Sequence, residues 1–163
     1  MKKFLFVAVL ALASVMAYAQ PRAIGGRLGY GAEFSYEHTM DEKNMISLEV
    51  GVPGFKGLEV ACTYDWIDPF NAVVPWNEKG EWHWYMGVGG ALQTWGWGFS
   101  NLFAGVAGRF GIEYDFWFPL QLSIDFRPTI GALAGRDANG NAFMGFGYDV
   151  YASGLGLGIR YKF

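Results

Sequence analysis

Two histidines and one cysteine are the residues of this 163-residue chain best suited to act as a base or a nucleophile near neutral pH. A hydrolytic site would need one of those histidines beside a nucleophile, with a carboxylate to orient it. His38 follows Glu37, but the nearest serine, Ser35, alternates onto the opposite face. His83 stands between Trp82 and Trp84 and is expected at an interface. Neither forms a triad, so no catalytic residue is assigned and the chain is expected not to be an enzyme. Asp137-Ala138-Asn139-Gly140-Asn141 echoes a calcium loop but lacks its glycine and its bidentate glutamate, and reads as a hairpin tip. The glycines at 87, 89 and 90 and at 154, 156 and 158 complete no nucleotide fingerprint. No metal and no cofactor is therefore expected, and a single cysteine, Cys62, excludes an intrachain disulfide framework.

The remaining candidates are charges, and their spacing says more than their number. Seven segments alternate large apolar residues with Gly, Ala, Ser, Thr or a charge, which is the period of a strand. In the first, Ile24, Leu28, Tyr30, Phe34 and Tyr36 interleave with Arg27, Glu33, Ser35 and Glu37. After the turn Asp41-Glu42-Lys43-Asn44, Ile46, Leu48 and Val50 interleave with Ser47 and Glu49. Val60, Cys62, Tyr64 and Trp66 then alternate with Glu59, Thr63 and Asp65. Further on, Phe110, Ile112 and Tyr114 face away from Arg109, Glu113 and Asp115, and Leu122, Ile124 and Phe126 from Asp125 and Arg127. The last segment sets Leu157, Ile159, Tyr161 and Phe163 against Arg160 and Lys162.

Length and leader bound what such strands can build. Met1-Lys2-Lys3, an apolar run from Phe4 to Ala13, and Ala17-Tyr18-Ala19 before Gln20 read as a secretory signal peptide cleaved between Ala19 and Gln20. Residues 20–163 are then one domain, and losing the two leader lysines takes the formal charge from −3 to −5, against a nucleic-acid partner. Twenty-four glycines and an 18% aromatic content fit strands and turns.

Size decides which face points inward. A barrel of about eight strands has an interior only just filled by side chains, so the bulky set cannot all lie inside. The expected fold is all-β, a transmembrane antiparallel up-and-down β-barrel of about eight strands with its bulky face in lipid. Arg27, Glu33, Glu49, Glu59, Asp65, Arg109, Glu113, Asp125, Arg127 and Arg160 are expected to form a lumen ion-pair network that plugs it. Tyr36, Trp66, Trp84, Trp117, Tyr161 and Phe163 are expected at the membrane interfaces. Trp95-Gly96-Trp97-Gly98-Phe99 reads as belt rather than sugar platform, and Cys62 as a lipid-facing small hydrophobe. An even strand count comes either from splitting 22–38 at Gly29-Tyr30-Gly31, the preferred solution, or from an extra strand over 142–151.

Several stretches carry a family resemblance. Gly29-Tyr30-Gly31-Ala32-Glu33-Phe34-Ser35-Tyr36-Glu37-His38, Trp84-Tyr85-Met86-Gly87-Val88-Gly89, Pro119-Leu120-Gln121-Leu122-Ser123-Ile124-Asp125-Phe126-Arg127-Pro128 and the ending Gly158-Ile159-Arg160-Tyr161-Lys162-Phe163 resemble the small outer-membrane β-barrel proteins of Bacteroidetes-type bacteria. The resemblance implies an outer-membrane address and membrane lipid as the surrounding partner. It also implies recognition of the C-terminal strand, ending in Phe163, by barrel-assembly machinery. The expected role is structural or surface-interacting, through loops and an unspecified surface ligand. A small-solute channel, a lipid-modifying enzyme and a soluble lipocalin-like barrel are the alternatives.

Overall fold

A computed structural model describes residues 21–69, 79–95, 101–136, 140–149 and 154–163. The signal-cleavage pair Ala19 and Gln20, Trp97, Phe99 and the Asp137–Asn139 part of the turn lie outside the described residues. Ten strands follow one another: β1 (Pro21–Leu28), β2 (Gly31–Asp41), β3 (Asn44–Pro53), β4 (Gly57–Pro69), β5 (Glu81–Trp95), β6 (Asn101–Asp115), β7 (Gln121–Phe126), β8 (Thr129–Arg136), β9 (Ala142–Asp149) and β10 (Leu155–Lys162). Each pairs antiparallel with its neighbours in the order β5-β4-β3-β2-β1-β10-β7-β6-β8-β9, and β5 pairing with β6 closes the sheet. The closed ring is thus an eight-stranded barrel of β1–β7 and β10, with β8 and β9 continuing beyond it.

Those two outer strands arise from two local interruptions. β6 holds one unbroken register across β7 and β8, from Phe110 opposite Phe126 to Ala107 opposite Thr129. Pro128 separates them because it has no N–H for the ladder. Its carbonyl still accepts from Gly108 N at 2.8 Å. On the other side, three steps from Phe126 to Thr129 are matched by six from Leu155 back to Asp149, so extra chain accumulates between β9 and β10. The split of the first segment supplies the even count. Residues 22–38 split at Gly29–Tyr30, and 142–149 forms a strand, but that strand pairs with β8 above the ring and adds no ninth wall.

Closure fixes two ends. Both described termini, the β2–β3 turn and the Phe116–Leu120 turn share one end, called here the terminus end; β1–β2, β3–β4 and the β8–β9 hairpin share the other, the hairpin end. The tight turns follow local chemistry. Asp41 Oδ1 accepts from Lys43 N and Asn44 Nδ2, both at 2.8 Å, and Gly54 adopts φ +56° at the β3–β4 turn.

Burial follows the alternation. In β3 every second residue is buried, and in β4 Ala61, Thr63, Asp65 and Ile67 are buried while Leu58, Val60, Tyr64 and Trp66 stay exposed. The interior is therefore the polar face, and Phe34, Val88, Leu92, Phe110, Ile124 and Ile159 cover the outside. Small residues opposite make room for large inward ones. Gly111 lies opposite both Tyr85 and Asp125, and a methyl there would stand 2.6 Å from the Tyr85 ring and 2.7 Å from Asp125 Cβ. Both neighbours are fully buried, so neither can give way. Gly111→Ala is expected to lower stability by about 1–3 kcal/mol, read from the urea midpoint of detergent-refolded protein. Gly145→Ala, where nothing lies within 4 Å, should shift it by less than about 0.5 kcal/mol.

Candidate functional site

The alternation of eight strands delivers charges from every side of the ring to one interior, where they sort into three levels. At the centre stands Arg109 from β6, fully buried, with Gly87 opposite it on β5. Its Nη1 donates to Asp65 Oδ2 at 2.8 Å and to Ser47 Oγ. Its Nη2 lies 3.3 Å from Glu37 Oε1 and 3.5 Å from both Glu49 Oε1 and Asp125 Oδ2. The guanidinium also stacks 4.6 Å from the Tyr85 ring, whose hydroxyl donates to Asp125 Oδ2 at 3.2 Å. Arg160 joins from β10, donating to Ser35 Oγ at 2.8 Å and Ser123 Oγ at 2.7 Å.

Toward the hairpin end, Arg27 and Arg127 share Glu33. Arg27 also reaches Asp125 at 2.7 Å and the Gly154 carbonyl at 2.7 Å, and Arg127 pairs with Glu33 at 2.8 Å and with Glu59. Toward the terminus end, Arg22 joins Glu37 at 3.2 Å and Glu113, and Lys162 joins Asp115 at 2.8 Å. The ten lumen residues expected from the sequence thus all turn inward, and each has an oppositely charged group within 4.0 Å.

Arg22, Met45, Ile67 and Tyr85 are among the inward residues that the sequence reading did not place. Arg22 has the parity of outward Ile24, but the register shifts between Pro21 and Ala23, so Arg22 and Ala23 both turn in. A proline beside a glycine-rich strand start was the available signal. Met45, Ile67 and Tyr85 form an apolar collar inside the barrel, and strict parity would have placed all three.

His83 corrects an expectation. Rather than facing an interface with Trp82 and Trp84, it follows the parity of Tyr85 and points into the terminus-end mouth. There Nδ1 lies 3.7 Å from Glu113 Oε1, directly across the β5–β6 ladder, and 3.9 Å from Asp115 Oδ2. A cavity of about 1100 Å³ opens over these groups, bordered by Arg22, Met45, Trp117 and Lys162. His38 takes the outer face and stacks on Tyr36, ring centroids 6.3 Å apart.

The expected interfacial aromatics gather on the outer surface toward the terminus end. Trp66, Trp117, Tyr161 and Phe163 are exposed, Tyr36 and Trp84 half-buried. Around them Trp82, Tyr114, Phe116, Trp117 and Phe118 form a continuous chain of ring contacts between 4.7 and 5.8 Å. Cys62 sits exposed on the outer wall beside Val60 and Tyr64.

Fold and interior together define a closed antiparallel β-barrel turned inside out, with charges enclosed and hydrocarbon displayed. The chain matches no protein-family model, no curated protein and no solved structure.

The central cluster yields a stability test. Replacing Arg109 with Met keeps volume but strands four carboxylates, and should destabilise by about 3–5 kcal/mol in the same urea titration. Arg109→Lys should recover only part of that, because one ammonium cannot serve Asp65 and Ser47 on one side and Glu37 on the other.

Proposed function

We propose that the protein is an outer-membrane β-barrel of the small Bacteroidetes-type kind, exported through a cleaved signal peptide, with a structural or surface-interacting role and no catalytic activity. One observation carries the reading: the radial inversion of polarity. Leu92, Val106, Phe110, Ile124, Leu157 and Ile159 are each about half exposed, while Arg109, Asp65, Glu37 and Arg160 are at most 3% exposed. Water would drive the opposite arrangement, and contiguous apolar walls of this extent on a barrel are stable in lipid.

Strand lengths support it. Five of the eight wall strands, β2 to β6, run from 10 to 15 residues, enough for the roughly 9–11 tilted residues that cross a hydrocarbon core, while β1, β7 and β10 have 8, 6 and 8. A closed ring leaves no edge within that layer, which a bilayer demands. The aromatic chain around Trp82, Phe116 and Phe118 suits a headgroup boundary. With that end in the periplasm, both termini lie there, and the β8–β9 hairpin reaches beyond the outer boundary as the recognition surface. Membrane lipid is then the main partner, with assembly machinery reading the strand that ends at Phe163.

The lumen network supports a plugged barrel over a solute channel. Arg109, Arg160, Tyr85 and Met45 project inward from four strands, and all are buried. No lipid-modifying site is proposed, since His38 stacks on Tyr36 and Ser35 is turned inside onto Arg160.

The protein should fractionate with outer membranes and migrate faster unheated than boiled on a denaturing gel. In planar bilayers it should show no stable conductance step. A soluble monodisperse protein in detergent-free buffer would refute the membrane reading, and a reproducible open level would favour the channel.

A further inference from the structure

The mouth at the terminus end sets a histidine beside two carboxylates of the lumen network. His83 on β5 and Glu113 and Asp115 on β6 converge there, their donor atoms within 4.8 Å of one another. The convergence is built into the ladder. His83 is the cross-strand partner of Glu113, and Asp115 follows two residues on, on the same inward face.

Two of the three groups have polar atoms left over. Among the described residues, His83 Nδ1 and Asp115 Oδ1 are buried and have no hydrogen-bond partner, and Asp115 is only 5% exposed. Such atoms are costly to desolvate without a bound species to meet them. The space between the carboxylates already draws positive charge: Arg22 Nη2 rests on Glu113 Oε1 and lies 3.6 Å from Asp115 Oδ2.

We propose that His83, Glu113 and Asp115 form a binding site for a divalent transition metal of the zinc class. A tetrahedral zinc ion with ligand arms of about 2.0–2.1 Å sets its donors about 3.4 Å apart. Nδ1 stands 3.7 Å from Glu113 Oε1 and 3.9 Å from Asp115 Oδ2, so small side-chain movements complete three corners. The adjoining cavity admits the ion and leaves a fourth position for water. One imidazole and two carboxylates select zinc-like ions over calcium and magnesium, which want six or more oxygens.

Arg22 is the competitor. Metal binding moves its Nη2 off Glu113, while Nη1 keeps Glu37 Oε2 at 3.2 Å. Lys162, on Asp115 Oδ2 at 2.8 Å, competes in the same way for the second carboxylate. Two cations beside the site hold the affinity down, so binding is expected in the micromolar range.

The site does not depend on the membrane role, and its test is separate. The chain over residues 20–163, in buffer or in micelles and with the β-sheet content of every variant checked by circular dichroism, is titrated with Zn²⁺ by calorimetry and with Co²⁺ by visible absorption. One ion per chain is expected, with a Co²⁺ ligand-field band between about 500 and 650 nm for tetrahedral N/O ligation. His83→Ala should weaken binding at least tenfold and abolish the band. Arg22→Gln should tighten binding severalfold, a gain that a merely structural cluster has no means to give. Glu81→Gln, whose carboxylate is exposed beside His83 Nε2 at 3.9 Å, should change affinity less than twofold. No saturable uptake by the wild type, or equal uptake by His83→Ala, overturns the site.

Discussion

The structure depends on one electrostatic constraint: charges drawn off the outer wall must be neutralised by one another inside a closed ring of strands. The inward faces supply Glu33, Glu37, Glu49, Glu59, Asp65, Glu113, Asp115 and Asp125, against Arg22, Arg27, Arg109, Arg127, Arg160 and Lys162. Isolated pairs would fail, since desolvating two ions rivals their mutual attraction. Five of the six cations are arginines, whose fork of donors lets one positive centre serve carboxylates from several strands. Arg109 joins β6 to β2, β3, β4 and β7 in this way. The network is thus a set of cross-barrel struts as well as a neutralising device. An excess of acid remains, concentrated where Glu49 Oε1 and Oε2 and Asp65 Oδ1 accept no hydrogen bond among the described residues. Glu49 is held at 3.5 Å by Arg109 and Arg127, by Coulomb attraction without a hydrogen bond.

Space limits the same design. A long arginine fits only where the strand opposite offers little, and the register places Gly158 against Arg27, Gly25 against Arg160, and Gly87 against Arg109. Glycine costs a strand some stability, and its recurrence opposite these charges leaves space for their long side chains. Where inward positions are apolar, they are small, as in the Ala61, Ala91 and Ala107 cluster, or they form the Met45, Ile67 and Tyr85 collar.

Most of this was readable from alternation, because a period of two sends every residue of a strand to one of two faces and size then says which is inside. All ten lumen charges and the outward placement of Cys62 came from that rule. It failed where the backbone departs from strict alternation. At Arg22 a register shift turns two consecutive residues inward, and nothing in residue size announces it. At Pro128 the missing N–H divides one strand into two, and the added chain before β10 is invisible to a pattern read within segments. His83 was misplaced for another reason: its tryptophan neighbours outweighed its parity with Tyr85 and Gly87.

What no single-strand pattern could give is adjacency between strands. His83 and Glu113 are thirty positions apart, and only the β5–β6 register sets them opposite each other. The same holds for Arg109 and Ser47, or Arg27 and Asp125. Each strand contributes only a few polar groups spaced two or more residues apart, which taken alone do not look like a site. The ring then brings contributions from different strands together at each of the three levels. Function in a barrel of this kind is therefore divided by geometry. The wall carries the apolar face, the interior carries the paired charges, and the terminus-end mouth sets His83 beside Glu113 and Asp115.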